Sequence, residues 1–209
     1  MNTLAVLIPV KSSGAKSRLP RVLSDRERRE FVGLLLTDLL KELGRAHLLA
    51  STYVISSDGK ILEQARREGA NGVHEPRDEG VNAAVVRGIR AAGKSDYLVL
   101  PSDLPLANST HIEHLLKMKA SGPALVIVPS LSFNGTNALL FSPRDGLELS
   151  YDDDSFWNHL RSAARVGIKC GISSREELMF DVDSPADLEN LVSVKSEKPS
   201  VKFAREASR

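Results

Sequence analysis

The residues from Leu4 to Pro20 read LAVLIPVKSSGAKSRLP and join an apolar run to a polar, basic loop. A continuous apolar run such as Leu4 to Val10 is typical of a strand that is covered on both faces, as in parallel sheets. The run is too short to span a membrane and lacks the basic segment of a signal peptide. We therefore expect the first strand of an α/β fold, with a ligand-binding loop at its carboxyl end.

Composition limits the partners of the protein. The chain has 209 residues and a formal net charge of +1, which is enough length for one α/β core and too little charge to attract nucleic acid or a membrane surface. Its single cysteine, Cys170, excludes a disulfide within the chain and fits a reducing cytosol. We expect a cytoplasmic protein without a nucleic-acid or membrane partner. The oligomeric state stays open, a homodimer included.

Apolar runs and helical periodicity alternate over the first 130 residues, which predicts βαβ units and a parallel sheet. Ser24, with Glu27 three residues later, predicts the capped start of a long helix. Later strands lack intervening helices, so the predicted fold is a single three-layer α/β/α domain with a mostly parallel, mixed sheet. We expect this domain to occupy residues 1–193. The charged tail 194–209 is expected to be loose, with a short docked segment as the alternative.

The basic loop after the first strand can hold a polyphosphate. Lys11, Lys16 and Arg18 stand among Gly and Ser residues, Gly14 included, and free backbone amides beside cations can surround phosphate oxygens. The loop is not a P-loop, because no Gly-Lys-Ser/Thr follows at the required spacing. A solvated basic turn is the alternative.

A second candidate loop, EPRDEGVNAA, opens a helix after a short strand. Gly80, Asn82 and nearby backbone groups can contact a nucleotide there. The simpler interpretation is that Asn82 is only the N-cap of that helix.

Three aspartates can form a metal site. In YLVLPSDLPL, residues 97–106, an apolar strand runs directly to Asp103, whose carboxylate is costly at the edge of a core unless it is paired. Asp181 and Asp183 alternate around Val182 in FDVDSPADL, so an extended backbone points them to one side. Such an all-oxygen set suits Mg²⁺. The alternatives are a Ser-Asp turn at Asp103 and a helix-capping role for Asp183.

Two hydroxyl side chains can hold an anion. Thr136 follows Gly135 just before a strand, and Ser155 lies where a helix is predicted to begin. The neighbouring run Asp152–Asp154 favours the helix dipole itself and would repel a phosphate, so on the residues alone a helix start without a ligand is the favoured interpretation of this segment.

Taken together, LAVLIPVKSSGAKSRL, DEGVNAAV, LVLPSDLPL, GTNALLF, SFWNH and FDVDSPADL follow the order seen in the 2-phospho-L-lactate guanylyltransferases. The chain resembles this family over about residues 4 to 191. That family makes the deazaflavin coenzyme F-420 and is best known from methanogenic archaea. The resemblance implies the nucleotide-diphospho-sugar transferase fold and the use of GTP with Mg²⁺.

The resemblance further implies that the phosphate of 2-phospho-L-lactate attacks the α-phosphorus of GTP, giving lactyl-diphospho-guanosine and pyrophosphate. Related enzymes accept phosphoenolpyruvate or 3-phosphoglycerate. The family's metal carboxylates fall on Asp103, Asp181 and Asp183. Its acceptor-phosphate residues fall on Thr136 and Ser155. Its triphosphate loop falls on Lys11, Lys16 and Arg18. The YDDD run before Ser155 departs from the Gly-rich run that is frequent in the family.

Two rival functions remain at this point. A molybdopterin or sugar-phosphate nucleotidyltransferase is disfavoured, because sugar-nucleotide enzymes usually carry a GGxGTRL-type loop where this chain has KSSGAKSRL. A non-catalytic nucleotide-binding module would not need three metal carboxylates.

Overall fold

The computed structural model of the chain describes residues 4–11, 19 and 22–208. In this part of the chain, seven strands form one sheet. They are β1 (Leu4–Pro9), β2 (Thr52–Ser56), β3 (Asn71–His74), β4 (Asp96–Val99), β5 (Leu125–Pro129), β6 (Thr136–Phe141) and β7 (Cys170–Ile172).

The helices are α1 (Asp25–Arg45), α2 (Gly59–Arg67), α3 (Val81–Ala92), α4 (Ser109–Ala120), α5 (Ser155–Arg165), α6 (Glu176–Met179), α7 (Pro185–Ser193) and α8 (Pro199–Ala207). Helix α1 begins at the predicted capping box. The backbone N–H of Glu27 donates to the Ser24 hydroxyl, and the Ser24 N–H donates to the Glu27 carboxylate at 2.8 Å.

The strand order is β3-β2-β1-β4-β6-β5-β7. Strand β6 is antiparallel to both of its neighbours, and the other pairs are parallel, so the prediction of a mostly parallel, mixed sheet is confirmed. Only residues 130–135 connect β5 to β6, and a connection this short can join antiparallel strands but cannot hold a crossover helix. As a result, β6 starts at the edge of the sheet where the parallel strands end.

Side chains of β1 alternate between two apolar layers, as the period of two in a strand requires. Val6 and Ile8 pack with residues of α1, α2 and α4 on one face, whereas Ala5 and Leu7 pack with α3 and α5 on the other. The predicted three-layer α/β/α arrangement is therefore confirmed.

The expectation of a loose tail is wrong for residues 199–207, which form helix α8. Val201 and Ala204 are fully buried, and the Phe203 ring stacks on Phe31 of α1 at 5.7 Å. The docked-segment alternative is the one found. Apolar residues spaced along one helix face bind the tail to α1 in spite of its high charge.

Candidate active site

The sheet has a topological switch point between β1 and β4, because the chain leaves β1 toward β2 on one side and later enters β4 on the other. In open α/β sheets, ligands bind outside the carboxyl ends of the strands at such a point. Lys11 follows β1 and Asp103 follows β4. The candidate triphosphate loop and the candidate metal loop thus start at the same crevice.

Of the basic loop at residues 11–20, only Lys11 and Leu19 are described. Lys11 is exposed, and the preceding Val10 is hydrogen-bonded to β2 through both its N–H and its carbonyl group. This fixes the direction in which the loop leaves the sheet. Gly14, Lys16 and Arg18 lie outside the described residues, so their contact with a triphosphate stays a prediction.

Gly80 is the N-cap of α3 and has a φ of 90°, a conformation that L side chains rarely adopt. A Cβ at this position would meet nothing within 4 Å, so the backbone conformation, and not a lack of space, favours glycine. The Gly80 N–H donates to the carboxylate of Asp78 at 3.0 Å. A contact between Gly80 and a nucleotide stays a prediction.

The N-cap interpretation of Asn82 is wrong, because α3 begins one residue earlier and Gly80 occupies the cap. The Asn82 side chain instead holds the segment before α5. Its Oδ1 accepts from the Tyr151 N–H at 2.8 Å, and its Nδ2 donates to the Asp152 carboxylate at 3.1 Å. The candidate nucleotide loop and the YDDD run are therefore in direct contact, while a nucleotide contact of Asn82 stays a prediction.

The three candidate metal aspartates lie on two neighbouring segments. The N–H of Val182 donates to the backbone carbonyl oxygen of Asp103 at 3.2 Å, so Asp181 and Asp183 flank a residue bonded to the metal loop. Val182 is fully buried, whereas Asp183 is exposed and Asp181 is partly exposed. This alternation agrees with the predicted same-side placement of the two carboxylates.

A buried amide orients one of these carboxylates. Asn137, on β6 and 5% exposed, donates through Nδ2 to Asp181 Oδ1 at 3.1 Å and to the Met179 carbonyl at 2.8 Å. The segment 179–183 thereby crosses the carboxyl ends of the central strands. Capping of α7 is performed by Ser184 together with Asp187, so that helix begins without the Asp183 carboxylate as its cap.

The aspartates do not form a closed metal cage. Among residues 4–11, 19 and 22–208, no group of three His, Cys, Asp or Glu side chains is close enough to hold an ion. Mg²⁺ sites commonly use only one or two carboxylates, with waters and substrate phosphates supplying the other oxygens. The carboxylate oxygens of Asp103 and of the Asn137-oriented Asp181 are of the type that Mg²⁺ prefers, and a Mg²⁺ ion at these residues stays a prediction.

Thr136 and Ser155, predicted separately as acceptor ligands, are in contact. Both are buried, and the Ser155 hydroxyl donates to Thr136 Oγ1 at 3.2 Å. A third side chain joins them: His159 Nδ1 lies 3.0 Å from Thr136 Oγ1. Thr136 comes directly before Asn137 at the start of β6, so this polar cluster lies at the edge of the sheet where the parallel strands end.

Burial keeps His159 neutral. The side chain is fully buried, and loss of hydration lowers the pKa of the imidazole from 6.5 to about 4. The backbone N–H of Ser150 donates to Nε2 at 3.1 Å, and the Tyr151 ring packs edge-on at 4.9 Å. Both ring nitrogens are engaged, so His159 has no free nitrogen to remove a proton from a substrate.

The Asp152–Asp154 run is exposed, and it does not cap α5 through its side chains. Asp154 is the N-cap in a left-handed conformation with φ 58°, without a side-chain cap bond. Because the Asp152 carboxylate accepts from Asn82, this part of the run faces α3.

Asn137 and His159 are the site residues that sequence reasoning missed. Asn137 is a polar residue at the start of TNALLF, before its apolar part, and His159 lies four residues after Ser155 on the same face of α5. Neither feature indicates a site residue until the contacts with Asp181 and Thr136 are known from the structure.

The family model described as "Guanylyl transferase CofC like" matches residues 4–208. The chain belongs to this family. This confirms the resemblance found from the motifs, and the protein is a nucleotidyltransferase of the guanylyltransferase class.

Two curated relatives represent the CofC-like family. A phosphoenolpyruvate guanylyltransferase of Rubrobacter xylanophilus is 39% identical over 195 residues, which is 91% of this chain and 94% of that protein. A 2-phospho-L-lactate guanylyltransferase of Methanocaldococcus vulcanius is 30% identical over 186 residues, 88% of this chain and 82% of that protein. The relatives thus include a bacterial protein beside that of a methanogen.

A solved structure of a Desulfovibrio desulfuricans G20 protein, assigned as a nucleotide-diphospho-sugar transferase, has a TM-score of 0.77 at 16% identity. It covers 99% of this chain, which covers 95% of the other. The CofC-like protein therefore has the predicted nucleotide-diphospho-sugar transferase fold. No helix among the described residues is both long and apolar enough to cross a membrane.

Proposed function

We propose that the protein transfers the guanylyl group of GTP to the phosphate of a three-carbon phospho-carboxylate. An acceptor phosphate oxygen forms a bond to the α-phosphorus of GTP. The bond from that phosphorus to the oxygen bridging to the β-phosphorus breaks, and pyrophosphate leaves. The observation that carries this proposal is the buried hydroxyl pair of Thr136 and Ser155, 3.2 Å apart, next to the strand residue that orients Asp181.

Phosphoenolpyruvate is our first candidate acceptor and 2-phospho-L-lactate the second. The motif resemblance favours 2-phospho-L-lactate, but the relative named for phosphoenolpyruvate is 39% identical and the one named for 2-phospho-L-lactate is 30% identical. Both acceptors carry a carboxylate and a phosphate on the same carbon, so one site can bind either. The resemblance implies that the product enters coenzyme F-420 synthesis.

The residue types agree with this reaction. The acceptor phosphate is already ionised at neutral pH, so a general base is not needed. The chain must bring two anions together and stabilise the charge that develops on the α-phosphate and the pyrophosphate. Lys11 lies where it can approach the triphosphate at the switch point, and Thr136 and Ser155 can donate hydrogen bonds to the acceptor phosphate.

Asp103 and Asp181 would hold Mg²⁺, with Asp183 as a third oxygen donor nearby. When bound, Mg²⁺ supplies positive charge that neutralises phosphate oxygens of the nucleotide. Asn137 restrains the Asp181 carboxylate through its hydrogen bond, which limits the reorganisation needed on nucleotide binding.

The test is pyrophosphate release with GTP and Mg²⁺ across four acceptors: phosphoenolpyruvate, 2-phospho-L-lactate, 3-phosphoglycerate and a sugar 1-phosphate. We expect the highest kcat/KM with phosphoenolpyruvate, a lower value with 2-phospho-L-lactate, and none with the sugar. ATP and CTP should be poor substitutes for GTP. A higher value with 2-phospho-L-lactate would exchange the two candidates and keep the reaction.

A matched pair of variants tests the acceptor site. Thr136→Val removes the hydroxyl at nearly constant shape, whereas Thr136→Ser keeps it. We expect Thr136→Val to lower kcat/KM for the acceptor by roughly tenfold or more, the scale of a hydrogen bond to a charged group, and Thr136→Ser to lower it less. Preference for a sugar 1-phosphate would overturn the proposed acceptor class. Absence of release with every acceptor would favour a nucleotide-binding module.

A further inference from the structure

The polar cluster before α5 has a defined direction of hydrogen bonding. A backbone N–H can only donate, so the Ser150 N–H makes His159 Nε2 an acceptor, and the proton of the neutral ring lies on Nδ1. Nδ1–H then donates to Thr136 Oγ1 at 3.0 Å. Ser155 donates to the same oxygen.

This arrangement determines what Thr136 can offer a ligand. With two donors directed at its Oγ1, the Thr136 hydroxyl has its accepting positions occupied and its own hydrogen left to donate. A phosphate oxygen only accepts, so the hydroxyl is prepared for an anion and not for a group that must donate to it. Complete burial of His159 prevents water from replacing Nδ1–H as the donor.

We propose that His159 is a positioning residue: by donating from Nδ1 to Thr136 it directs the Thr136 hydroxyl hydrogen toward the acceptor phosphate. This inference rests on the proposed function, because it takes the acceptor phosphate as the partner of Thr136. His159 itself does not touch the substrate and does not exchange a proton with it. It also fixes Ser150, at the beginning of the segment that leads to Ser155.

Two amide variants separate these contacts. In His159→Asn, the side-chain amide nitrogen can occupy nearly the position of Nδ1 and donate to Thr136, while the bond from Ser150 is lost. In His159→Gln, the longer side chain can place its oxygen near the position of Nε2 and accept from Ser150, while the donor to Thr136 is lost. Both variants are neutral at all relevant pH values, so charge does not differ between them.

We expect His159→Gln to raise the KM for the acceptor about tenfold with little change in the KM for GTP, the scale of one lost hydrogen bond. His159→Asn should stay within about threefold of the wild-type acceptor KM. Equal losses in both variants, or an equal rise in the KM for GTP, would overturn the positioning role and leave a purely structural one. Melting temperatures of both variants establish that they fold.

An NMR measurement on the unmodified protein does not depend on the reaction. The ¹⁵N shifts of the His159 ring, identified by the signal that disappears in His159→Asn, should be those of the neutral Nδ1–H tautomer at pH 7. The Nε2–H tautomer or a charged ring would overturn the inference. If this tautomer is found but no tested acceptor reacts, the proposed function fails and the hydrogen-bond assignment stands.

Discussion

Asn137 connects strand β6 to the candidate metal site, because its side chain hydrogen-bonds to Asp181. Its amide donates to one carbonyl and to one carboxylate oxygen, and both bonds are sheltered by its burial. Outer hydrogen bonds of this kind restrict the rotamers of a metal ligand and typically change metal affinity by about 10–100-fold when removed.

Asn137→Leu should therefore raise the Mg²⁺ concentration needed for half-maximal turnover by about tenfold, with turnover largely restored at saturating Mg²⁺. The measurement is a Mg²⁺ titration of pyrophosphate release at fixed GTP and acceptor. Asn190→Leu, on the exposed face of α7, is the matched control and should leave the titration unchanged. A wild-type titration curve in Asn137→Leu would remove Asn137 from the metal site.

At the scale of elements, the tail that contains α8 contacts the loop that carries Asp103. Lys198, directly before α8, donates through Nζ to the carbonyl of Pro105 at 3.0 Å and to that of Ala107. The Ser200 N–H donates to the buried carboxylate of Asp38 on α1 at 3.0 Å. Burial lowers the pKa of the Lys198 ammonium, although Glu42 and Asp38 act in the opposite direction.

Deletion of residues 196–209 should destabilise the protein by roughly 3–5 kcal/mol, because it exposes the apolar surface of α1 that Val201 and Phe203 cover. Urea unfolding of the truncated and full-length chains measures this. Lys198→Met keeps most of the aliphatic stem and removes the donors, so it should cost less stability while lowering kcat through the metal loop. Truncation without loss of stability would show that α8 does not contribute to the fold.

Side chains of two helices hydrogen-bond to the segment before α5, at Ser150 and Tyr151. His159 accepts from Ser150 on the side of α5, and Asn82 accepts from Tyr151 on the side of α3. These contacts join the predicted nucleotide loop and the predicted acceptor segment through residues 150–152.

For the whole molecule, the burial of His159 makes stability depend on pH. The lowered pKa, about 4 against 6.5, means that below pH 6.5 the unfolded chain binds a proton that the folded chain does not. This contribution is therefore fully present above pH 6.5 and is lost as the pH falls toward 4. The shift corresponds to about 3 kcal/mol.

We expect the free energy of unfolding of the wild type, measured in urea, to fall more steeply between pH 6.5 and pH 4 than that of His159→Asn. The stability advantage of the wild type over His159→Asn should therefore shrink as the pH falls, because only the wild type loses the His159 contribution. The ring faces Thr136 and Tyr151, which are neutral in this range, so their charge does not contribute to the difference. Parallel curves would mean that folding does not change the pKa of His159, and would contradict the lowered value.

The sequence by itself determined most of the helices and strands, and it selected the loops that we propose as the site. The apolar run from Leu4, the capping box at Ser24 and the apolar segment before Asp103 are local signals, and local backbone preferences decide them. The motif order also led to the correct family. The sequence did not decide whether Gly80 or Asn82 caps α3, because both residue types can cap a helix.

Only the tertiary structure decided which side chains meet. Thr136 reaches the carboxyl edge because β6 inserts antiparallel between β4 and β5, and this pairing depends on burying apolar faces that are far apart in the sequence. For the same reason His159 meets Thr136, Asn137 meets Asp181, and the tail helix packs on Phe31. Charge and periodicity in a short window contain no information about such distant partners, whereas the free energy of the packed core selects them.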